Sequence, residues 1–181
     1  MILRGGLHRL EKVMRRKSRL SFCILLLVGS MLALPALAEA QKLVFVARHA
    51  ERADEPARNQ EDPVLSAAGE ARAARLNTML RDADIKAIFV TQYKRTQLTA
   101  RPLAQRLKLT PQVMPPSVGT LVNELKSRHE KDVVLIVAHA STIPGIIKGL
   151  GGSSHVDMDD SVYDSFFVVV PATGAVATIH Y

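Results

Sequence analysis

Three apolar runs in this chain break off at residues able to handle an anion. Leu43-Val44-Phe45-Val46-Ala47 leads into Arg48-His49-Ala50-Glu51, and Val133 to Ala138 leads into His139-Ala140-Ser141-Thr142. Between them, Ala87-Ile88-Phe89-Val90 ends at Thr91-Gln92-Tyr93-Lys94-Arg95. Continuous β-branched runs of this length read as strands of a parallel sheet buried on both faces. Ligands bind beyond the carboxyl ends of such strands, so the three ends would bring two guanidiniums and two imidazoles to one sheet edge. The planar fork of arginine matches phosphate oxygens, and loops that feed helix N-termini add backbone N–H groups. A cationic pocket with two histidines suits phosphoryl transfer. One imidazole would attack phosphorus while the other donates to the developing charge on its oxygens.

The elements that must position these residues alternate along the chain. After strand 43–47 come a polar loop, 51–63, and a helix from Ser66 to about Asp82. Its apolar side is expected to hold Leu65, Ala68, Ala71, Leu76, Met79 and Leu80, with Glu70, Arg72, Arg75 and Arg81 in water. A helix from Lys94 to Leu107 contains Pro102, which should kink or restart it. Pro111, Pro115 and Pro116 bracket a short extended piece at Gln112-Val113, and helix 117–130 precedes strand 133–138. Pro144 suits the first turn of the next helix, and Gly149, Gly151 and Gly152 end it. Phe166 to Val170 and Ala175 to His180 read as a closing hairpin around Pro171-Ala172-Thr173-Gly174. The expected fold class is α/β: a three-layer sandwich with a mostly parallel central sheet covered by helices on both faces, ending in a C-terminal antiparallel hairpin.

The first forty residues read differently. Arg15, Arg16, Lys17 and Arg19 precede an apolar core from Phe22 to Val28 that continues through Leu34, and Ala36-Leu37-Ala38 supplies small residues for a signal peptidase. A signal peptide over 1–40, cleaved after Ala38 or Ala40, and a single domain over 41–181 are expected, with translation starting at Met1 or Met14. The competing reading is an uncleaved anchor, since Phe22 to Ala38 is 17 residues, the short limit for a span. Periplasmic or secreted localisation follows from cleavage, membrane anchorage from its absence. The leader holds +5 of the formal +7 charge, and residues 41–181 carry only +2, so nucleic-acid binding finds no support. Cys23, in the leader, is the only cysteine, which leaves the remainder without disulfide, thiolate nucleophile or Cys-based metal site.

Four segments, taken in order, resemble the histidine phosphatase superfamily, the phosphoglycerate-mutase-like fold, and most of all its small phosphohistidine-phosphatase-like branch. Arg48-His49-Ala50 is similar to that family's Arg-His-Gly signature, and Leu65-Ser66-Ala67-Ala68-Gly69 to its Leu-Thr-x-x-Gly segment. Arg95-Thr96-Gln97-Leu98-Thr99-Ala100 and Val137-Ala138-His139-Ala140-Ser141 resemble two further segments, so the likeness spans residue 43 to about 170. It implies that His49 accepts the phosphoryl group as a phosphohistidine, that Arg48 and Arg95 clamp its oxygens, and that His139 completes the pocket, with no metal or other cofactor. Ala50 and Ala140 depart from the pattern: one restricts the backbone, and the other removes a possible hydroxyl donor.

The proton donor is the gap. Residues 96–123 contain no carboxylate, which leaves Glu51, directly after the histidine, and Glu124 in the following helix. Glu51 is the candidate donor, acting through water, unless the leaving group departs without strong protonation. Arg52 and Arg58 either widen the anion site as substrate-binding residues or are solvated. His129 and the acidic loop Asp157, Asp159 and Asp160 read as solvated, His155 as a residue bordering the pocket or not, and His180 as nothing in particular. The reading is a phosphatase acting on a phosphomonoester or phosphoramidate. Its alternatives are a non-catalytic phospholigand-binding protein, a phosphomutase, and a metal site built on His49 and His139. Expected partners are a phosphorylated small molecule, an envelope sugar phosphate or a phosphoprotein, and no nucleic acid.

Overall fold

The computed structural model describes residues 43–53, 62–152 and 156–181. The expected leader, with Cys23, Met14 and both cleavage points, lies outside those residues, as do Arg58 and His155. Ten elements follow in order: β1 (Val44–Arg48), α1 (Ala67–Met79), β2 (Ile85–Val90), α2 (Lys94–Leu107), β3 (Gln112–Val113), α3 (Val118–Arg128), β4 (Val133–Ala138), α4 (Ile143–Gly149), β5 (Ser165–Val170) and β6 (Ala175–His180). The strands form one sheet in the order β3-β2-β4-β1-β5-β6. The first four are parallel; β5 runs antiparallel to β1, and β6 to β5. The α/β class, the mostly parallel sheet and the closing hairpin are as the sequence predicts.

Alternation along each strand divides the core between two faces. Val44, Val46, Phe89, Val134 and Ile136 meet Leu121, Leu125, Ile146 and Ile147 from α3 and α4. Phe45, Ala47, Ile88, Leu135 and Val137 meet Leu76 of α1, Leu80 at its end, and Ala100 and Leu103 of α2. Both faces are covered, so the central strands are apolar throughout.

Helix α1 starts at Ser66, whose hydroxyl accepts from the Gly69 N–H at 3.1 Å. Its buried side is Gly69, Ala73 and Leu76, with Leu80 just beyond. The expected stripe is therefore rotated: Ala68 and Ala71 are exposed, as is Met79, while Arg72 is turned inward. Close approach causes the rotation. A Cβ on Gly69 would overlap the Glu51 carbonyl oxygen, so only glycine lets α1 lie against the chain leaving β1. Helix α2 runs unbroken through Pro102 rather than restarting there. Thr96, Thr99, Ala100, Leu103 and Ala104 bury one face of it, and that packing carries the helix across the lost backbone donor. Among the described residues, no helix is long and apolar enough to cross a membrane.

Register positions the site. Arg48 pairs with Ala138 across β1 and β4, and the His49 N–H donates to the Ala138 carbonyl at 2.9 Å. His49 and His139 thus leave neighbouring parallel strands at the same level. On the far side of β4, Val90 pairs with Val137, which sets Thr91 and the start of α2 beside them.

Candidate active site

Arg48, His49, Arg52, Arg95, His139, Ala140, Ser141 and Asp160 line a cavity of about 290 Å³ at the carboxyl edge of the sheet. The two imidazoles lie edge to face, with ring centroids 5.2 Å apart. Arg48, His49, Arg95 and His139, expected to converge, are therefore brought together, and Arg52 reaches the same cavity from the exposed side.

Hydrogen-bond partners decide which nitrogen does what. His49 is buried, and its Nδ1 lies 2.8 Å from the Ala50 carbonyl oxygen. A carbonyl only accepts, so Nδ1 carries the proton and Nε2 is left with a free lone pair. Burial holds His49 down to about 3, reinforced by the charges of Arg95 and Arg48 against the opposing pull of the Ala50 hydrogen bond. The ring is neutral at ordinary pH.

His139 is fixed the other way round. Its Nδ1 faces Arg95 Nη2 at 3.5 Å, and a guanidinium only donates. Nε2, 3.0 Å from the Thr91 hydroxyl, accordingly carries the proton. The hydroxyls behind it agree. Thr96 donates to the Tyr93 carbonyl, Thr91 donates to Thr96, and Thr91 is left to accept from His139. Burial and then the charges of Arg95 and Arg48 lower His139 to about 4.

Each arginine is braced by an aromatic ring. The Arg48 guanidinium lies 4.1 Å from the centroid of Tyr163, and that of Arg95 lies 4.3 Å from Tyr93. Three backbone carbonyls, of Asp159, Asp160 and Val162, accept from Arg48 at 3.0, 2.8 and 2.7 Å. Arg95 approaches Asp62 at 3.8 Å. Burial and the neighbouring Arg52 charge shift its pKa downward. Among the described residues, three buried polar side-chain atoms have no partner, and two of them are the Nε donors of Arg48 and Arg95. A buried unsatisfied donor costs about 1–3 kcal/mol, so both guanidiniums keep hydrogen-bonding capacity that the protein does not meet.

Glu51 requires a correction. Its carboxylate is clasped by Arg72, with contacts of 2.6, 2.9 and 3.0 Å, and it is not among the cavity-lining residues. Burial alone would push the carboxyl up, but the Arg72 hydrogen bonds and charge outweigh this and hold it below the usual range. Glu51 is ionised, has no proton to give, and ties the His49 loop to α1. Glu124 sits on α3 beside Arg128 and is also absent from the lining. The carboxylate that does reach the cavity is Asp160, 3.7 Å from Arg48 with a side chain 93% exposed. Sequence reasoning treated its loop as solvated; the signal it lacked is that backbone carbonyls, not side chains, hold Arg48. Thr91, Tyr93 and Tyr163 were likewise missed, although Thr91 and Tyr93 stand between a strand end and the helix bearing Arg95. His129, expected in water, pairs with Asp132 at 2.8 Å and packs edge-on against Phe89. His180 pairs with Asp164 at the surface.

The sequence profile of the histidine phosphatase superfamily (branch 1) matches residues 44–116, which include Arg48, His49 and Arg95. This is a histidine phosphatase fold. The protein histidine phosphatase SixA in complex with tungstate superposes with a TM-score of 0.59 at 17% identity, over 76% of this chain and 94% of its own. A structure described as a candidate phosphohistidine phosphatase SixA from Agrobacterium tumefaciens gives 0.58 at 16% identity, over 77% and 96%. Mycobacterial glucosyl-3-phosphoglycerate phosphatase in complex with VO3 gives 0.56 at 14%, over 77% and 98%. No curated protein matches the chain in sequence. At these identities the structural likeness is one of fold, and it extends past the profile match to β4, where the histidine phosphatase fold of this chain carries His139.

Proposed function

We propose that this protein is a metal-independent phosphatase that hydrolyses a phosphomonoester or phosphoramidate through a phosphohistidine on His49. The observation that carries the reading is the His49 tautomer: Nδ1–H is committed to the Ala50 carbonyl, so the Nε2 lone pair is available in a cavity lined by Arg48, Arg95 and His139. Nε2 attacks phosphorus, the P–N bond forms, and the bond from phosphorus to the leaving group breaks. The guanidiniums of Arg48 and Arg95, which line the cavity, take up charge on the equatorial oxygens. The leaving group takes its proton from water, since Glu51 is ionised and turned away. A second water then bonds to phosphorus as the P–N bond breaks. Inorganic phosphate departs, one water proton goes to solvent, and the His49 lone pair is restored.

Incubation with an aryl phosphate in EDTA tests the reading. Turnover that survives chelation, acid-labile phosphate on His49, and loss of at least a thousandfold in kcat in H49A are expected. Binding of phosphate without turnover would identify a phospholigand-binding protein instead, and loss of activity in EDTA a metal site.

The proposal extends to localisation. Residues 1–40 act as a signal peptide, so the substrate is a phosphorylated molecule met in the periplasm or outside the cell, an envelope sugar phosphate included. N-terminal sequencing of the exported protein should begin at Glu39 or Gln41. Retention of the leader would make the chain membrane-anchored.

A further inference from the structure

A second cavity, of about 590 Å³, adjoins the anion site, and His139 lines both. Its walls are Val113 on β3, then Met114, Pro115 and Pro116, Leu121 on α3 and Ile146 on α4, with the Tyr93 ring beside His139. A volume of this size holds a small organic group. No Lys, Arg, Asp or Glu lines it, and His139 is neutral.

Most polar groups in the lining are already committed. The Thr142 hydroxyl donates to the His139 carbonyl and accepts from its N–H. Ser117 caps α3 by accepting from the Thr120 N–H. Thr91 is held between His139 and Thr96. A sugar placed there would lose its hydrogen bonds to water and recover few. A carboxylate or a second phosphate would lose solvation with no cation in the wall to meet it. Val113, 58% exposed on the short edge strand, leaves apolar surface open to water at the rim.

We propose that this cavity receives the leaving group, and that the substrate is a phosphomonoester of an uncharged, apolar aromatic alcohol. The inference rests on the phosphatase reading above and adds the substrate class. Two independent features favour an aromatic group. Tyr93, Pro115 and Pro116 offer flat apolar faces. In addition, a phenolate departs without strong protonation, and Glu51, the candidate donor, is held by Arg72 away from the cavity.

Comparison of kcat/KM for 1-naphthyl, phenyl and 4-carboxyphenyl phosphates, with phosphoramidate as a substrate that leaves the cavity empty, tests the assignment. Naphthyl phosphate should exceed phenyl phosphate by at least tenfold. The 4-carboxyphenyl ester should fall below phenyl phosphate, although its phenol is the better leaving group. In V113E, at an exposed rim position, the naphthyl-to-phenyl ratio should drop at least fivefold. A flat series, or a ratio unchanged in V113E while phosphoramidate is still split, overturns the subsite and leaves the phosphatase reading standing. Failure to split any of the four overturns the phosphatase reading. Binding of naphthylphosphonate no tighter than methylphosphonate would then overturn the subsite too.

Discussion

His49 and His139 are the same residue type, stand level on adjacent strands and share one cavity, yet they are held as opposite tautomers. The Ala50 carbonyl commits the His49 proton to Nδ1 and frees Nε2, whereas Thr91 commits the His139 proton to Nε2 and turns Nδ1 toward Arg95. Division of labour follows from those partners rather than from the residue type. Nitrogen-15 NMR of histidine-labelled protein should show one ring protonated at Nδ1 and the other at Nε2, with neither gaining a proton between pH 7.5 and 5.5. The T91V variant should release the second constraint, so that the His139 tautomer becomes mixed while His49 keeps its own. A ring at this site that titrates near 6.5 would contradict the burial that lowers both.

At the scale of elements, the loop after β1 is fixed to α1 through Gly69 and the Glu51–Arg72 pair. G69A should cost roughly 1–3 kcal/mol, because the added Cβ meets backbone that has no room to yield. R72A should cost about 2 kcal/mol by stripping charged hydrogen bonds from a half-buried carboxylate. Both are read as lower urea midpoints. E51Q should leave the dependence of rate on leaving-group pKa unchanged; a steeper slope would restore Glu51 as the acid. The cationic residues were legible in sequence because each stands one to five residues past an apolar run that reads as a buried strand. Glu51 was misread because adjacency to His49 says nothing of direction, and its partner Arg72 lies on a helix whose inward face was misplaced by the small residues Gly69 and Ala73. The role of the loop after α4 was illegible for a deeper reason, since backbone carbonyls leave no trace in residue identity.

For the whole molecule, the two depressed histidines make the fold sensitive to acid. The unfolded chain takes up protons below about 6.5, while His139 and His49 in the fold stay unprotonated down to about 4 and about 3. Stability is thus fully present above pH 6.5 and declines as pH falls through that window, by up to ~1.4 kcal/mol per pH unit for His49. Urea midpoints at pH 7.5, 5.5 and 4.5 should fall in step, and H49Q should flatten the decline. The layer order was readable because both sheet faces are covered, so the strands appear as unbroken apolar runs. The orientation of α1 and the continuity of α2 across Pro102 were not, since packing against neighbours settled both.

Arg48 is gripped by three peptide oxygens, and peptide oxygens are the same whatever side chains accompany them. Asp160, whose side chain takes no part in closing the turn that Asp159 and Ser161 hold together, can therefore change, and with it the charge and shape presented to an arriving molecule, while the cation beneath stays in place. Saturation of Asp160 alone, with Asp159 and Ser161 kept, should yield altered selectivity at little cost to turnover, which makes this position the natural handle for redirecting specificity.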